Sequence, residues 1–213
     1  MPAVEGMKAH LGGYDIIPEQ QRLLGRKLAP DIELVVLNFS LPYGIKIVGQ
    51  RFLAHHSYDK NVQLRIAAHE IFHPPFDVND EALLDSLEPL RSDPWMISIV
   101  EDHDPAFGYN SFVGVLNEDS AQALDQLVAE RLGFARDPAR RWRHADDGMH
   151  MLAAAIYHML REDGYANTGG VYAKWLERAI ALGRFEPSEV KRRATEVVGA
   201  EAVDRWHSAD PGP

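Results

Sequence analysis

The 213-residue sequence contains no cysteine. That excludes a disulfide framework, cysteine-ligated zinc and a cysteine nucleophile. It leaves the compartment open, because a cysteine-free chain suits oxidising and reducing surroundings alike. Positive charge is also scarce: 22 Lys and Arg stand against 32 Asp and Glu, a net charge of −10. Such a chain repels phosphate backbones and anionic lipid headgroups, so neither nucleic acid nor a membrane surface is expected as a partner. No apolar run approaches the ~20 residues of a membrane span. The first stretch, MPAVEGMKAHLGGYDIIPEQQ, lacks the charged head and apolar run of a signal peptide. There is no repeat and no low-complexity block. Localisation and oligomeric state stay open.

What is present reads as a globular chain, with 46% hydrophobic and 25% charged residues. Residues 18–30, bounded by proline at both ends, predict a short helix. IELVVLNF, residues 32–39, predicts a buried strand, LPYG at 41–44 a turn, and IKIVGQRFLAHH at 45–56 a second strand with a bulge at Gly49. Leu64, Ala67, Ala68 and Ile71 recur at helical spacing and predict a helix over 61–73, capped by Asp59 or Asn61 and ended by Pro74 and Pro75. Further helices are expected over 78–94, 117–132, 146–162, 171–182 and 187–206, with a loop at 101–114 and a flexible break at GYANTGG, 164–170. A small β-containing part followed by helices indicates an α+β fold. The expected division is a core over 1–133 and a helical C-terminal subdomain over 134–213, packed on that core.

The chemistry concentrates in AAHEIFHPPF, residues 67–76. Residues four apart on a helix share a face, ~6 Å apart along the axis, so His69 and His73 can converge on one metal. Glu70 then lies near a metal-bound water. Zinc lowers that water's pKa to about 7, so Glu70 can take its proton and pass it to a leaving amine. A catalytic zinc needs a third protein ligand and one open position. Glu118, on a predicted helix that begins NEDSAQALDQL, is one candidate, with Ala121 small enough to let that helix press on the first. Glu101, His103 and Asp104 compete with it. A glutamate in a first turn also favours the helix dipole without any metal.

HEIFH followed by LNEDSA resembles the gluzincin metallopeptidases, a zincin group. The resemblance covers residues 66–73 and 116–121 closely, and 30–133 as an order of elements. It implies a zincin-like fold with a small N-terminal sheet, an active-site helix and a mostly helical C-terminal part. It also implies zinc held by His69, His73 and Glu118, with Glu70 as general base acting on a peptide or protein substrate. A third histidine six residues after His73 would mark another zincin branch, but position 79 is Asn. The chain departs from the family at Pro74, where the helix usually continues. It departs again one turn after Glu118, where the family's histidine-orienting aspartate is replaced by Gln122. Asp125 lies one turn further.

Other readings run beside the peptidase. They are a zinc hydrolase of a non-peptide amide or ester, a catalytically weak zincin-fold binding or regulatory protein, and a helical interaction protein without metal. Tyr157, His158 and Tyr165 are candidates for stabilising a tetrahedral intermediate. His55 and His56 point to opposite faces of a strand. His150 and His158 read as surface or half-buried histidines, and ARRWRH at 139–144 as a solvated basic run or a docking patch. By the resemblance, the strand before the histidine helix would bind extended peptide by strand addition.

Overall fold

The computed structural model describes residues 2–37 and 44–206. Its elements are α1 (Pro2–Leu11), α2 (Ile16–Leu24), β1 (Glu33–Leu37), β2 (Ile45–Val48), β3 (Arg51–His55), α3 (Lys60–Glu70), α4 (Glu81–Asp85), α5 (Glu88–Arg91) and α6 (Pro94–Glu101). They continue with α7 (Phe112–Leu132), α8 (Pro138–His144), α9 (Met151–Glu162), α10 (Tyr165–Thr168), α11 (Tyr172–Ala181), α12 (Pro187–Val198) and α13 (Ala200–Asp204). The fold is α+β, a small sheet with helices around it. No described helix is long and apolar enough to cross a membrane.

The sheet has the order β1-β3-β2, with β1 and β3 parallel and β2 and β3 antiparallel. Where a single strand with a bulge is expected over 45–56, the chain reverses. Gly49, at φ 57, takes the left-handed conformation and the strands fold back as a hairpin. The bulge sits earlier, between Lys46 and Val48. The expected turn at 41–44 and the end of the strand expected over 32–39 lie largely outside the described residues.

Helix α3 starts as its sequence dictates. The Asp59 carboxylate accepts from the backbone N–H groups of Asn61 (2.8 Å) and Val62 (2.9 Å), satisfying two of the donors that a helix start leaves open. It ends at Glu70, earlier than expected. Proline at 74 has no N–H for the Glu70 carbonyl, and its ring would collide with that carbonyl if the helix continued. The freed carbonyls near the end are taken up by the fully buried Gln20 of α2, whose Nε2 donates to Ala68 (2.8 Å) and Ala67 (3.3 Å). The chain still makes one more tight turn, with Ile71 at φ −74, ψ −23 and the Phe72 N–H on the His69 carbonyl. His73 therefore stays on the face of His69 although it lies beyond the helix.

Helix α7 begins at Phe112, capped by the Ser111 hydroxyl, and stops at a left-handed Gly133 (φ 81). Glu118 thus occupies its second turn, not its first. The helix is buried nearly all round, including the polar side chains Glu118, Asp119, Gln122, Asp125 and Gln126. α3 packs on one side of it and α9 on another, and α12 covers α9. The buried apolar residues form one cluster from Ile16 to Val203 and Trp206. Across the expected 133/134 division, the Trp142 indole of α8 donates to Gln122 of α7 (3.0 Å). The helix expected over 78–94 appears as the short pieces α4 and α5, and the 164–170 break contains α10.

Replacing Asp59 by Ala leaves two N-terminal donors of α3 unmet. It should cost about 1 kcal/mol of stability, read as a lower urea midpoint with unchanged slope. A midpoint equal to that of the parent protein would contradict this account of how α3 begins.

Candidate metal centre

His69, His73 and Glu118 each offer one ligand atom, and these atoms lie within 4.8 Å of one another. His69 Nε2 is 2.9 Å from His73 Nε2 and 3.4 Å from Glu118 Oε1, and His73 Nε2 is 3.3 Å from Glu118 Oε2. Two donors each about 2.0–2.1 Å from one tetrahedral zinc lie roughly 3.3 Å apart. The two contacts to Glu118 match that spacing, and the histidine pair is somewhat tighter. Two imidazoles and a carboxylate, with a fourth position free, is also the ligand chemistry of catalytic zinc.

The competing ligands lie elsewhere. Both ring nitrogens of His103 face carbonyls, Ile99 at 2.8 Å and Gly108 at 2.7 Å. The Asp104 carboxylate caps the Ala106 N–H (2.9 Å), and Glu101 is exposed.

Helix α7 supplies the support as well as the ligand. Glu118, Gln122 and Asp125 fall on one face at helical spacing. Asp125 Oδ2 lies 2.7 Å from His69 Nδ1 and so fixes Nε2 as the outward nitrogen. Gln122, at the position of the family's histidine-orienting aspartate, donates to Glu118 Oε1 (3.0 Å). Asp125 is held in turn by Arg141 of α8, at 2.9 Å from Nη2 to Oδ2 and through a second contact from Nη1 to Oδ1. The 139–144 run is therefore a helix that buries Trp142 and turns Arg141 inward, not a solvated loop.

Charge follows this wiring. Burial opposes charge on His69, but Glu118 and Asp125 outweigh it and raise its pKa well above the usual histidine value. Burial likewise opposes charge on Glu118, yet His69 and His73 hold its pKa well below the usual carboxylate range. The site is built around a buried carboxylate that is matched by positive charge.

The Glu70 carboxylate lies against Gly44, just before β2. A Cβ on Gly44 would come within 2.7 Å of Glu70 Oε1 and 2.5 Å of Ile66 Cγ2, so only glycine lets the backbone pass there. The Lys46 ammonium of β2 donates to the His73 carbonyl. Burial, then Arg26, lower its pKa, while Glu70 opposes them.

A residue that sequence reasoning missed is Tyr109. Its phenol faces the Glu118 charge, and burial followed by that charge raises its pKa. Its φ of 62 is unusual for a bulky side chain, and such strain gathers at functional positions. Its place in the turn-rich loop that leads into α7, nine residues before Glu118, was the available signal. The expected candidates are committed elsewhere. Tyr157 donates to Glu130 (2.6 Å), Tyr165 to the carbonyls of Leu23 and Gly170, and His158 pairs with Glu196 (2.7 Å).

His150 is fully buried, contrary to expectation. It lies between Asp119 (2.6 Å) and Asp146 (2.8 Å), and its ring stands edge-on to Tyr109. A cavity of about 800 Å³ between α1, α2 and β1 touches α3 at Ala67, away from the histidine face.

Burial alone would lower the His150 pKa, but Asp119 and Asp146 hold it up at about 9. Unfolded, it returns to about 6.5. Its stabilising contribution is complete below pH 6.5 and disappears as pH rises through about 9, a loss of roughly 3 kcal/mol. In metal-free protein, the stability gap between the parent and His150→Gln should narrow by that amount over this range in urea titrations. A gap independent of pH would show that His150 is neutral in the fold.

No family model, curated protein or solved structure matches this chain, so the function is read from the site alone.

Proposed function

We propose that the protein is a zinc-dependent hydrolase of the gluzincin type, cleaving peptide bonds with Glu70 as general base. The observation that carries this reading is the convergence of His69, His73 and Glu118 from two separately capped segments, with Asp125 on the far nitrogen of His69. The zincin-like reading of the α+β fold belongs to the same proposal. It draws on the order of sheet, histidine helix and glutamate helix.

Zinc held there would supply a Lewis acid that polarises a carbonyl and acidifies water. The chain's own residues do the rest. Glu70 takes a proton from the attacking water and returns it to the leaving nitrogen. Asp125 keeps His69 in one tautomer and orientation. Tyr109, whose phenol feels the Glu118 charge, would donate to charge developing on the substrate oxygen. β2 lies at a sheet edge, exposes Ile45, Ile47 and Val48, and touches the site through Gly44 and Lys46. An extended peptide added to that edge would pass the ligands, which favours a peptide over a small amide or ester.

Purified protein should take up one zinc per chain, and chelation should lower its melting temperature. Glu118→Ala should weaken zinc binding. Glu70→Gln should keep the zinc while peptide hydrolysis falls by about 10²–10⁴-fold. Stoichiometric iron in place of zinc, or unchanged hydrolysis in Glu70→Gln, would contradict the proposal. Retained zinc with no cleavage of a broad peptide library by the parent protein would leave a binding protein on the same scaffold.

A further inference from the structure

Behind His69, on the side away from the metal ligands, lies a second concentration of charge. A small cavity of about 20 Å³ is lined by Arg65, Arg136 and Arg141 together with Asp125, Gln126 and Phe134. The arginines come from three places, α3 one turn before His69, the loop after α7, and α8. Asp125 is the one carboxylate among the lining residues. Three guanidinium groups against one carboxylate leave two positive charges in excess, in a chain whose net charge is −10.

The arginines are not balanced from elsewhere. Arg141 also feels Glu118 and Asp119, but those carboxylates are engaged by His69, His73 and His150. Among the described residues, no carboxylate forms an ion pair with Arg65 or Arg136. The Arg141 side chain is 8% exposed, and its Nε is buried without a hydrogen-bond partner. A buried, charged N–H left unmet is costly. Burial and then repulsion from Arg141 and Arg65 lower the Arg136 pKa, as crowded like charges require. A cavity of this size holds one water-sized particle. A monatomic anion fits this space more closely than a tetrahedral oxyanion or an organic acid.

We propose that one halide-sized anion, chloride in ordinary solution, binds between Arg65, Arg136 and Arg141. Its consequence rests on the zinc reading above. The anion draws part of the Arg141 charge away from Asp125, so Asp125 accepts the His69 Nδ1–H more strongly and Nε2 becomes a better donor to the metal. Chloride thus tightens zinc binding through Arg141, Asp125 and His69 without touching a ligand.

The test uses the full chain. The chloride NMR linewidth is measured on metal-free protein at constant ionic strength, with gluconate as the balancing anion. The parent protein should give excess broadening that bromide abolishes and sulfate does not. Arg136→Gln, at an exposed position, and Arg65→Gln, at a half-buried one, should lose the broadening while keeping the helical circular dichroism of the parent. Absent broadening in the parent, or broadening retained in both variants, would overturn the site, and the cavity then holds water. Displacement by sulfate as readily as by bromide would overturn the size argument. Zinc titrations follow, in which chloride should raise the affinity of the parent several-fold and leave Arg136→Gln unaffected. A chloride-blind zinc affinity beside intact broadening would overturn the coupling alone. The linewidth is read without zinc, so failure of the zinc reading leaves it standing.

Discussion

A carboxylate buried inside the protein has to be matched by positive charge, and much of this structure answers that requirement. Glu118 lies in the second turn of α7, 5% exposed. Removing an ionised carboxylate from water is expensive unless it is paired and hydrogen-bonded. His69 and His73 approach it from one side, and Gln122 adds a hydrogen bond. Each partner needs support in turn. Asp125 holds His69, Arg141 holds Asp125, and Trp142 holds Gln122. The chain of contacts runs from α3 through α7 into α8, so the helices after residue 133 help to orient residues near the sheet.

A parallel chain runs one residue along. Asp119 is fully buried beside Glu118 and is met by His150 and by the Ala153 N–H at 2.9 Å. Burial raises its pKa, and His150 pulls it back. Asp146, at φ 44, turns in to complete the arrangement. α7 therefore carries buried carboxylates at neighbouring positions, each facing a histidine. One of them meets a pair of histidines, a group that could hold a metal. The other is enclosed by Asp146 and serves the fold.

The site was legible in part because its logic is local. His–Glu–x–x–His is a spacing, and helical geometry turns that spacing into a shared face. Glu118 was legible as a carboxylate on a helix with a small residue one turn on. The helix boundaries were less so. Pro74 announces a stop, but the place where α3 ends depends on Gln20, 48 residues before Ala68, taking over its carbonyls. Arg141 read as part of a solvated basic run or docking patch, and His150 as a surface or half-buried histidine. Both are decided by buried aspartates, 16 and 31 residues away, that carry no periodic signal. In the sheet, Gly49 could serve a bulge or a turn. The pairing of β2 with β3 across it made it a turn. Long-range satisfaction of buried polar groups shaped the structure at these points, and a single sequence does not display it.

The most direct measurement is X-ray absorption at the zinc edge on protein loaded with one equivalent of zinc. The account predicts a low-coordinate shell of nitrogen and oxygen donors at about 2.0–2.1 Å, with outer-shell scattering from two imidazole rings. His73→Ala should reduce that scattering to one ring. A shell of oxygen donors without ring scattering, as for an ion resting on surface carboxylates, would contradict it.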